Sequence, residues 1–162
     1  MKSAEAIQKK IMTLEQAKSW IAALRVTGKK VSFTNGCFDI IHPGHLFSLQ
    51  QAADQADFLI VGLNSDASVR KLKGPTRPIN STESRALVLA HLVVVDAVVV
   101  FEEETPLELI SALLPDVLVK GGDYTLEQVV GSKEVIAQGG KVIINPIVEG
   151  FSTTQLIEKI KK

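Results

Sequence analysis

Short runs of apolar, often β-branched residues alternate with segments of helical periodicity along most of the chain. Runs of this kind are typical of strands that are buried on both faces of a parallel sheet. Strands are predicted at residues 30–34, 58–63, 97–101, 117–120 and 141–145, and helices at 45–55, 66–72, 82–92, 106–114, 133–138 and 155–160. The alternation predicts an α/β fold: a Rossmann-like doubly wound sheet of about five parallel strands with helices on both faces.

Capping residues mark the starts of two helices. Thr13 and Gln16 have the spacing of a capping box, and the apolar residues that follow recur at helical spacing until Gly28 offers a stop. Thr105 and Pro106 are predicted to be the N-cap and the first residue of a later helix. Residues 1–162 are interpreted as one domain, in which residues 1–29 form an N-terminal helical extension and residues 30–162 form the core.

Length and composition narrow the class of protein. The chain has 162 residues, of which 46% are hydrophobic, and its N-terminus has no apolar stretch of the kind that directs secretion, so a cytoplasmic protein is expected. Lys plus Arg and Asp plus Glu both number 18, which predicts neither a nucleic-acid partner nor a membrane partner. The single cysteine, Cys37, excludes an internal disulfide and a site with several thiolate ligands.

Polar residues follow four of the five predicted strands. In an open parallel sheet, ligands bind beyond the carboxyl ends of the strands, where the strand order reverses. We therefore expect one crevice to be bordered by Asn35, Gly36, Asp39, His42 and His45 after the first strand, and by residues 64–66, 120–124 and 149–154 after later ones.

His42-Pro43-Gly44-His45 stands where a predicted strand gives way to a helix. A helix N-terminus offers unpaired N–H groups and a positive dipole end to an anion, and Gly44 lets the backbone approach it closely. An isolated histidine is more often structural, but two histidines around Pro-Gly at such a turn favour a phosphate ligand. Zinc is a weaker alternative, because no third ligand is evident nearby.

This motif, behind Asn35-Gly36-Cys37-Phe38-Asp39, resembles that of the nucleotidyltransferase (cytidylyltransferase-like) superfamily. The resemblance implies a nucleoside triphosphate substrate, whose triphosphate is contacted by both histidines. An acceptor phosphate would attack the α-phosphorus and pyrophosphate would leave, without a covalent enzyme intermediate. Positioning and electrostatics would then supply the catalysis.

Five further blocks, in order, resemble the adenylyltransferase part of ADP-heptose synthases: residues 64–80, 83–85, 118–124, 131–135 and 152–154. The resemblance covers residues 30–162, which would be the catalytic core. It implies transfer of AMP from ATP to D-glycero-β-D-manno-heptose 1-phosphate, giving ADP-heptose and pyrophosphate for lipopolysaccharide or a related glycan. Mg²⁺ is expected to accompany ATP, without a dedicated set of protein ligands for the ion. The protein is also expected to form a homodimer. Since only about 30 residues precede the first predicted strand, a separate sugar kinase is expected upstream in the pathway.

The resemblance also assigns roles within the crevice. Lys73 and Arg77 fall in a Gly- and Pro-containing segment that is predicted not to be helical, so that their charges reach the crevice. Arg85, near a helix start, is expected to meet an anion, although a surface ion pair explains it equally well. The hydroxyls of residues 152–154 either cap the last helix or bind phosphate, and Cys37 is interpreted as packing. The implied roles are catalytic for His42, His45 and Lys73; nucleotide-binding for Asn35, Gly36, Phe38, Gly44, Lys120, Gly121, Asp123, Ser152, Thr153 and Thr154; and acceptor-binding for Asp39, Asn64, Asp66, Arg77 and Arg85.

Two other functions stay open at this point. One is a cytidylyltransferase that uses CTP with glycerol 3-phosphate or another phosphorylated acceptor. Such enzymes often carry an arginine before the last motif, where this chain has Ile147 and Val148. The other is a non-catalytic nucleotide-binding protein, against which the joint presence of both histidines, Lys73 and residues 152–154 argues. The apolar run at residues 87–95 is interpreted as core or as a dimer interface.

Overall fold

The computed structural model describes residues 3–122, 124–146 and 150–160. Within these residues, one all-parallel sheet of six strands has the order β1-β4-β3-β2-β5-β6. The five predicted strands are all present, and the Rossmann-like α/β fold is confirmed. The strands are β1 (Ile11–Met12), β2 (Val31–Gly36), β3 (Phe58–Asn64), β4 (Ala97–Phe101), β5 (Val117–Gly121) and β6 (Lys141–Asn145).

The sixth strand, β1, lies within residues 1–29, which were predicted to form a helical extension, and it adds a strand that was not predicted there. Ile11 pairs with Val98 of β4, and Lys10 O accepts a hydrogen bond from Val98 N at 2.8 Å. Lys10 Nζ also donates to Val95 O at 2.6 Å. A strand of two residues carries no periodicity, which is why the sequence pattern did not reveal it.

Helices connect the strands and flank the sheet. Thr13 and Gln16 form the predicted capping box at the start of the second helix. The predicted cap at Thr105 was wrong by one residue, because Pro106 occupies the N-cap position and makes no side-chain capping bond. The helices are α1 (Ala4–Gln8), α2 (Leu14–Val26), α3 (Pro43–Ala53), α4 (Asp66–Lys73), α5 (Thr82–His91), α6 (Leu107–Leu113), α7 (Ser132–Ala137) and α8 (Thr153–Ile160), with a 3₁₀ turn at Leu126–Gln128.

The core consists of two apolar layers, one on each face of the sheet. Ile60 of β3 points into the layer covered by α2, α6 and α7, whereas its neighbours Leu59 and Val61 point into the layer covered by α3 and α5. This alternation along one strand is the period of two that a pleated sheet imposes. Helices on both faces make the fold doubly wound, as predicted.

The apolar run at residues 87–95 contributes to both core and surface. Leu89 and Val95 are fully buried in the layer beneath α5, whereas Leu87, Val88 and Val93 are exposed. Within α5, amphipathic spacing on a helix that packs on a sheet separates Leu89 from Leu87 and Val88, whereas Val93 and Val95 follow the helix. Among the described residues, no helix has the length and apolar character needed to cross a membrane.

The strand order places the functional crevice. From β2 the chain moves through β3 to β4 on one side, and it then crosses to β5, which pairs with the other side of β2. Strand order therefore reverses between β2 and β5. Loops that leave the carboxyl ends of these two strands diverge and open a space between them.

Candidate active site

A cavity of about 630 Å³ lies at the carboxyl ends of the strands, where the strand order reverses. Residues that follow β2, β3, β4 and β5 border it, together with the segment that leads into α8. Most of the predicted site residues line it: Asn35, Gly36, Phe38, Asp39, His42, His45, Asn64, Lys73, Arg77, Lys120, Ser152, Thr153 and Thr154. Asp123 lies outside the described residues.

His42 and His45 stand together at the start of α3. His42 is the N-cap residue, Pro43 takes the first helical position, and the backbone N–H of His45 donates to His42 Nδ1 at 3.4 Å. Their rings stack, with centroids 3.7 Å apart and planes 20° from parallel. Because Nδ1 of His42 accepts this bond, the neutral ring carries its proton on Nε2 and offers a donor to the cavity that it lines.

The two imidazoles are neutral near pH 7. Burial, and secondarily the neighbouring His42, lower the pKa of His45 to about 4. Burial likewise lowers the pKa of His42. A phosphate anion placed against the rings would favour their charged forms and oppose this shift. At neutral pH the pair therefore offers hydrogen bonds, and the approach of an anion favours its protonation.

Aromatic rings flank the histidine pair on either side. The Phe38 ring lies 5.3 Å from His45, and the Phe151 ring lies 6.2 Å from His42 and nearly parallel to it. A Cβ at Gly44 would lie 3.0 Å from Phe151 Cβ and 3.1 Å from His42 Nδ1, which is tighter than ordinary contact. Gly44 does not itself line the cavity, and its role is to admit these two side chains.

The start of α8 faces the same cavity as the start of α3. Ser152, Thr153 and Thr154 line it, and Thr153 Oγ1 donates to Ile40 O at 3.4 Å. That bond joins the start of α8 to the loop that carries His42. Two helix N-termini with hydroxyl and imidazole groups thus border one space, an arrangement that suits a polyanion.

Lys120 supplies a cation on the β5 side of the cavity. Its Nζ lies 3.5 Å from Asn35 Oδ1 and 5.8 Å from the centre of the Tyr124 ring. Burial lowers the pKa of Lys120, and the charge of Lys73 adds to this effect, while Cys37 opposes it. Gly121 follows Lys120 but does not line the cavity; a Cβ there would meet Ser48 Oγ at 3.4 Å.

Lys73 lines the cavity from the end of a helix and not from a loop. It is the last residue of α4, so the prediction that it lies in a non-helical segment was wrong. Gly74, with φ of 94°, ends the helix one residue later than the sequence pattern indicated. Arg77 does lie in the following loop, as predicted, and its Nε donates to Asp39 Oδ2 at 2.7 Å.

Arg85 and Asp66 were expected to contact the acceptor, yet neither lines the cavity. The Arg85 side chain is 1% exposed and pairs with Asp66 Oδ1 at 2.7 Å. It also donates to the backbone oxygens of Cys37, Asn64 and Asn80. Its five-donor guanidinium therefore ties together the loop after β2, the end of β3 and the loop between α4 and α5, and the expected direct contact with an acceptor is not supported.

Other lining residues were absent from the predicted set. Glu104, Thr105 and Pro106 follow β4, and the rule that located the other groups at strand ends would have found them. Gln128 ends the 3₁₀ turn and Val129 and Val130 follow it, and the sequence gives no clear pattern for this turn. Cys37, Leu72, Leu118, Tyr124 and Phe151 complete the lining. Burial raises the pKa of the Cys37 thiol, which fits its interpretation as a packing residue.

Comparison with known proteins identifies close relatives. A family model described as Cytidylyltransferase-like matches residues 33–159. The Bifunctional protein HldE of Caulobacter vibrioides is 58% identical over 151 residues, which are 93% of this chain and 31% of that protein. HldE of Koribacter versatilis is 54% identical over 157 residues, which are 97% of this chain and 32% of that protein. The chain thus spans about a third of the length of these relatives.

Two solved structures are also similar to this chain. The lipopolysaccharide core biosynthesis protein from Thermoplasma volcanium superposes with a TM-score of 0.61 at 26% identity, covering 75% of this chain and 98% of that one. A pantoate-beta-alanine ligase from Francisella tularensis superposes with a TM-score of 0.59 at 15% identity. The match covers 93% of this chain and 76% of the ligase chain, and at this identity it shows the fold alone. Since the family model covers most of the chain, and relatives more than half identical match nearly all of it, this chain belongs to the cytidylyltransferase-like family.

Proposed function

We propose that this domain transfers AMP from ATP to D-glycero-β-D-manno-heptose 1-phosphate, releasing ADP-heptose and pyrophosphate. The observation that carries the proposal is the convergence of the stacked His42 and His45 at the start of α3 with the hydroxyls at the start of α8 on one cavity. Similarity to HldE proteins and to a lipopolysaccharide core biosynthesis protein supports a sugar acceptor. A sugar kinase must supply the heptose 1-phosphate.

In the proposed reaction, an oxygen of the acceptor phosphate attacks the α-phosphorus of ATP. The new P–O bond forms as the bond from the α-phosphorus to the bridging oxygen breaks, and its electron pair leaves with pyrophosphate. His42 and His45 donate hydrogen bonds to the triphosphate, where charge accumulates, and Ser152, Thr153 and Thr154 hold it from the other side. Donors fixed in advance stabilise this charge without reorganisation.

The remaining lining groups divide between the two substrates. We assign Asn35, Gly36, Phe38 and Lys120 to the nucleotide, together with Asp123. Asn64 and Arg77, which line the same cavity, are assigned to the acceptor, and Lys73, for which a catalytic role is proposed, would add a second cation for the phosphates. Bringing both phosphates into line lowers the entropic part of the barrier.

Mg²⁺ is proposed to accompany ATP. Among the described residues, no three His, Cys, Asp or Glu side chains are grouped so that they could hold a metal ion. The Asp39 carboxylate is already bonded to Arg77 and to two backbone N–H groups. We propose that the ATP phosphates and water would supply the ligands of this ion. When bound, the ion would neutralise part of the triphosphate charge.

Pyrophosphate release tests the proposal. The purified domain would be incubated with Mg²⁺ and either ATP or CTP, together with a panel of sugar 1-phosphates, glycerol 3-phosphate and phosphocholine. We expect release with ATP and the heptose 1-phosphate, and at least a hundredfold loss of turnover in His42→Ala and His45→Ala. Preference for CTP with glycerol 3-phosphate would instead identify a cytidylyltransferase, and binding of nucleotide without release from any pair would identify a non-catalytic protein.

A further inference from the structure

We propose that Asp39 is a positioning residue, which holds the Arg77 guanidinium so that its two Nη groups bind the phosphate of the acceptor. The inference rests on the proposed function, because it assigns a part of the acceptor site. It differs from a direct contact between Asp39 and the acceptor, which the sequence alone suggested. The distinction follows from what the Asp39 carboxylate already binds.

Both carboxylate oxygens of Asp39 are occupied. Oδ1 accepts hydrogen bonds from the backbone N–H groups of Ile79 and Asn80, each at 2.9 Å. Oδ2 accepts from Arg77 Nε at 2.7 Å and shares the N–H of Ile79 at 2.9 Å. Asn80 Nδ2 returns a bond to Asp39 O. With its side chain only 1% exposed, Asp39 has neither surface nor lone pairs to spare for a ligand.

These bonds also keep Asp39 ionised. Burial by itself would raise the pKa of the carboxyl, but the N–H groups of Asn80 and Ile79, with the Arg77 guanidinium, hold the pKa below its ordinary value. A buried carboxylate that accepts several charge-assisted or backbone bonds is a rigid anchor. It fixes the loop between α4 and α5 against the loop that leaves β2.

Arg77 is half of this ion pair and also borders the cavity. Its side chain is 13% exposed, and among the described residues its guanidinium makes one hydrogen bond, from Nε to Asp39 Oδ2, which leaves Nη1 and Nη2 for a ligand. A guanidinium that is held along its Nε edge keeps its two Nη groups in a fixed plane. Such a fork matches two oxygens of a phosphate, and fixing it in advance reduces the entropy lost on binding.

A double-mutant cycle separates positioning from direct contact. Steady-state kinetics with ATP and heptose 1-phosphate would be measured for Arg77→Ala, Asp39→Asn and the double variant. We expect either single change to raise the KM for the acceptor about tenfold or more, the scale of one lost charged hydrogen bond, with the KM for ATP within about twofold of wild type. The double variant should be no worse than Arg77→Ala, because Asp39 acts through Arg77.

Two further variants sharpen the test. Arg77→Lys keeps the charge but has no Nε for Asp39 to hold, so its acceptor KM should rise nearly as far as that of Arg77→Ala. This variant leaves Asp39 in place and decides the question if Asp39→Asn does not fold. Asp57→Asn, which breaks the exposed ion pair with Lys29, is the matched control and should retain wild-type kinetics.

Calorimetric binding of heptose 1-phosphate provides a readout that does not require turnover. Wild-type protein is expected to bind this acceptor. The affinity should fall to a similar extent in Arg77→Ala, Arg77→Lys and Asp39→Asn. If wild type binds the acceptor but releases no pyrophosphate, the proposed function fails while the inference stands. Additive losses in the double variant, wild-type affinity in Arg77→Lys, or a change in the KM for ATP alone would overturn the inference.

Discussion

The lowered pKa of His45 leads to a quantitative prediction for stability. The pKa of about 4 lies well below the ordinary 6.5, and a pKa difference of one corresponds to roughly 1.4 kcal/mol. The difference between the two pKa values therefore corresponds to about 3.5 kcal/mol. Because part of the ring still contacts solvent, we discount this to roughly 2 kcal/mol.

The folded and unfolded states bind a proton at His45 over different pH ranges, and this difference sets the direction in which stability changes with pH. Below about pH 6.5 the unfolded chain protonates His45, whereas the folded protein does not do so until the pH approaches 4. The contribution of neutral His45 to the free energy of unfolding is therefore complete above pH 6.5 and is lost as the pH falls towards 4. His45→Gln keeps a polar side chain of similar size and removes this dependence.

Urea unfolding followed by circular dichroism would measure the effect near pH 7.5 and near pH 4.5. From pH 7.5 to pH 4.5, the free energy of unfolding of wild type is expected to fall by about 1 to 2 kcal/mol more than that of His45→Gln. His91→Gln, which removes an exposed histidine of α5, is the control and should retain the wild-type pH dependence. Equal losses in wild type and His45→Gln, or an NMR titration of His45 near pH 6.5, would refute the argument.

Three further substitutions probe the framework of the site. Arg85→Met should lower the free energy of unfolding by about 3–5 kcal/mol in urea titrations, because Asp66 and three carbonyl oxygens lose their donor; a loss below 1 kcal/mol would contradict this. Gly62→Ala should cost about 1–3 kcal/mol, since the new methyl group would lie 2.6 Å from Phe33 Cζ, and an unchanged Tm would show that the core yields more than expected. Lys10→Met removes donors to two carbonyl oxygens and should speed amide exchange in β4, which hydrogen-exchange mass spectrometry would detect; unaltered protection there would count against this role.

The strands and the place of the cavity could be predicted because both depend on local pattern. Continuous apolar runs identified five strands, and the rule that ligands bind beyond strand carboxyl ends gathered His42, His45 and Lys120 in one crevice. The same rule applied to β4 would have added Glu104. Where a side chain follows a strand directly, its position is fixed by backbone direction, and little tertiary information is needed.

The bonding of the charged residues could not be predicted in this way. Arg85 was expected to meet an anion near a helix start, yet its carbonyl partners come from the loop after β2, the end of β3 and the loop between α4 and α5. Lys73 was placed outside a helix because Gly74 and Pro75 follow it, but α4 extends to Lys73. Such contacts depend on how distant segments pack, and no periodicity in the sequence encodes them.

The short strand β1 has a consequence for the solubility of the domain. It covers the edge of β4, whose sequence Ala97–Phe101 is continuously apolar. A long uncovered strand of this composition would offer its N–H and C=O groups to the same strand of another molecule and promote aggregation. By pairing with β4, residues 10–12 therefore prevent this edge of the sheet from pairing with another molecule. A domain boundary drawn at residue 30, where the core was expected to begin, would remove this protection while leaving every cavity-lining residue in place.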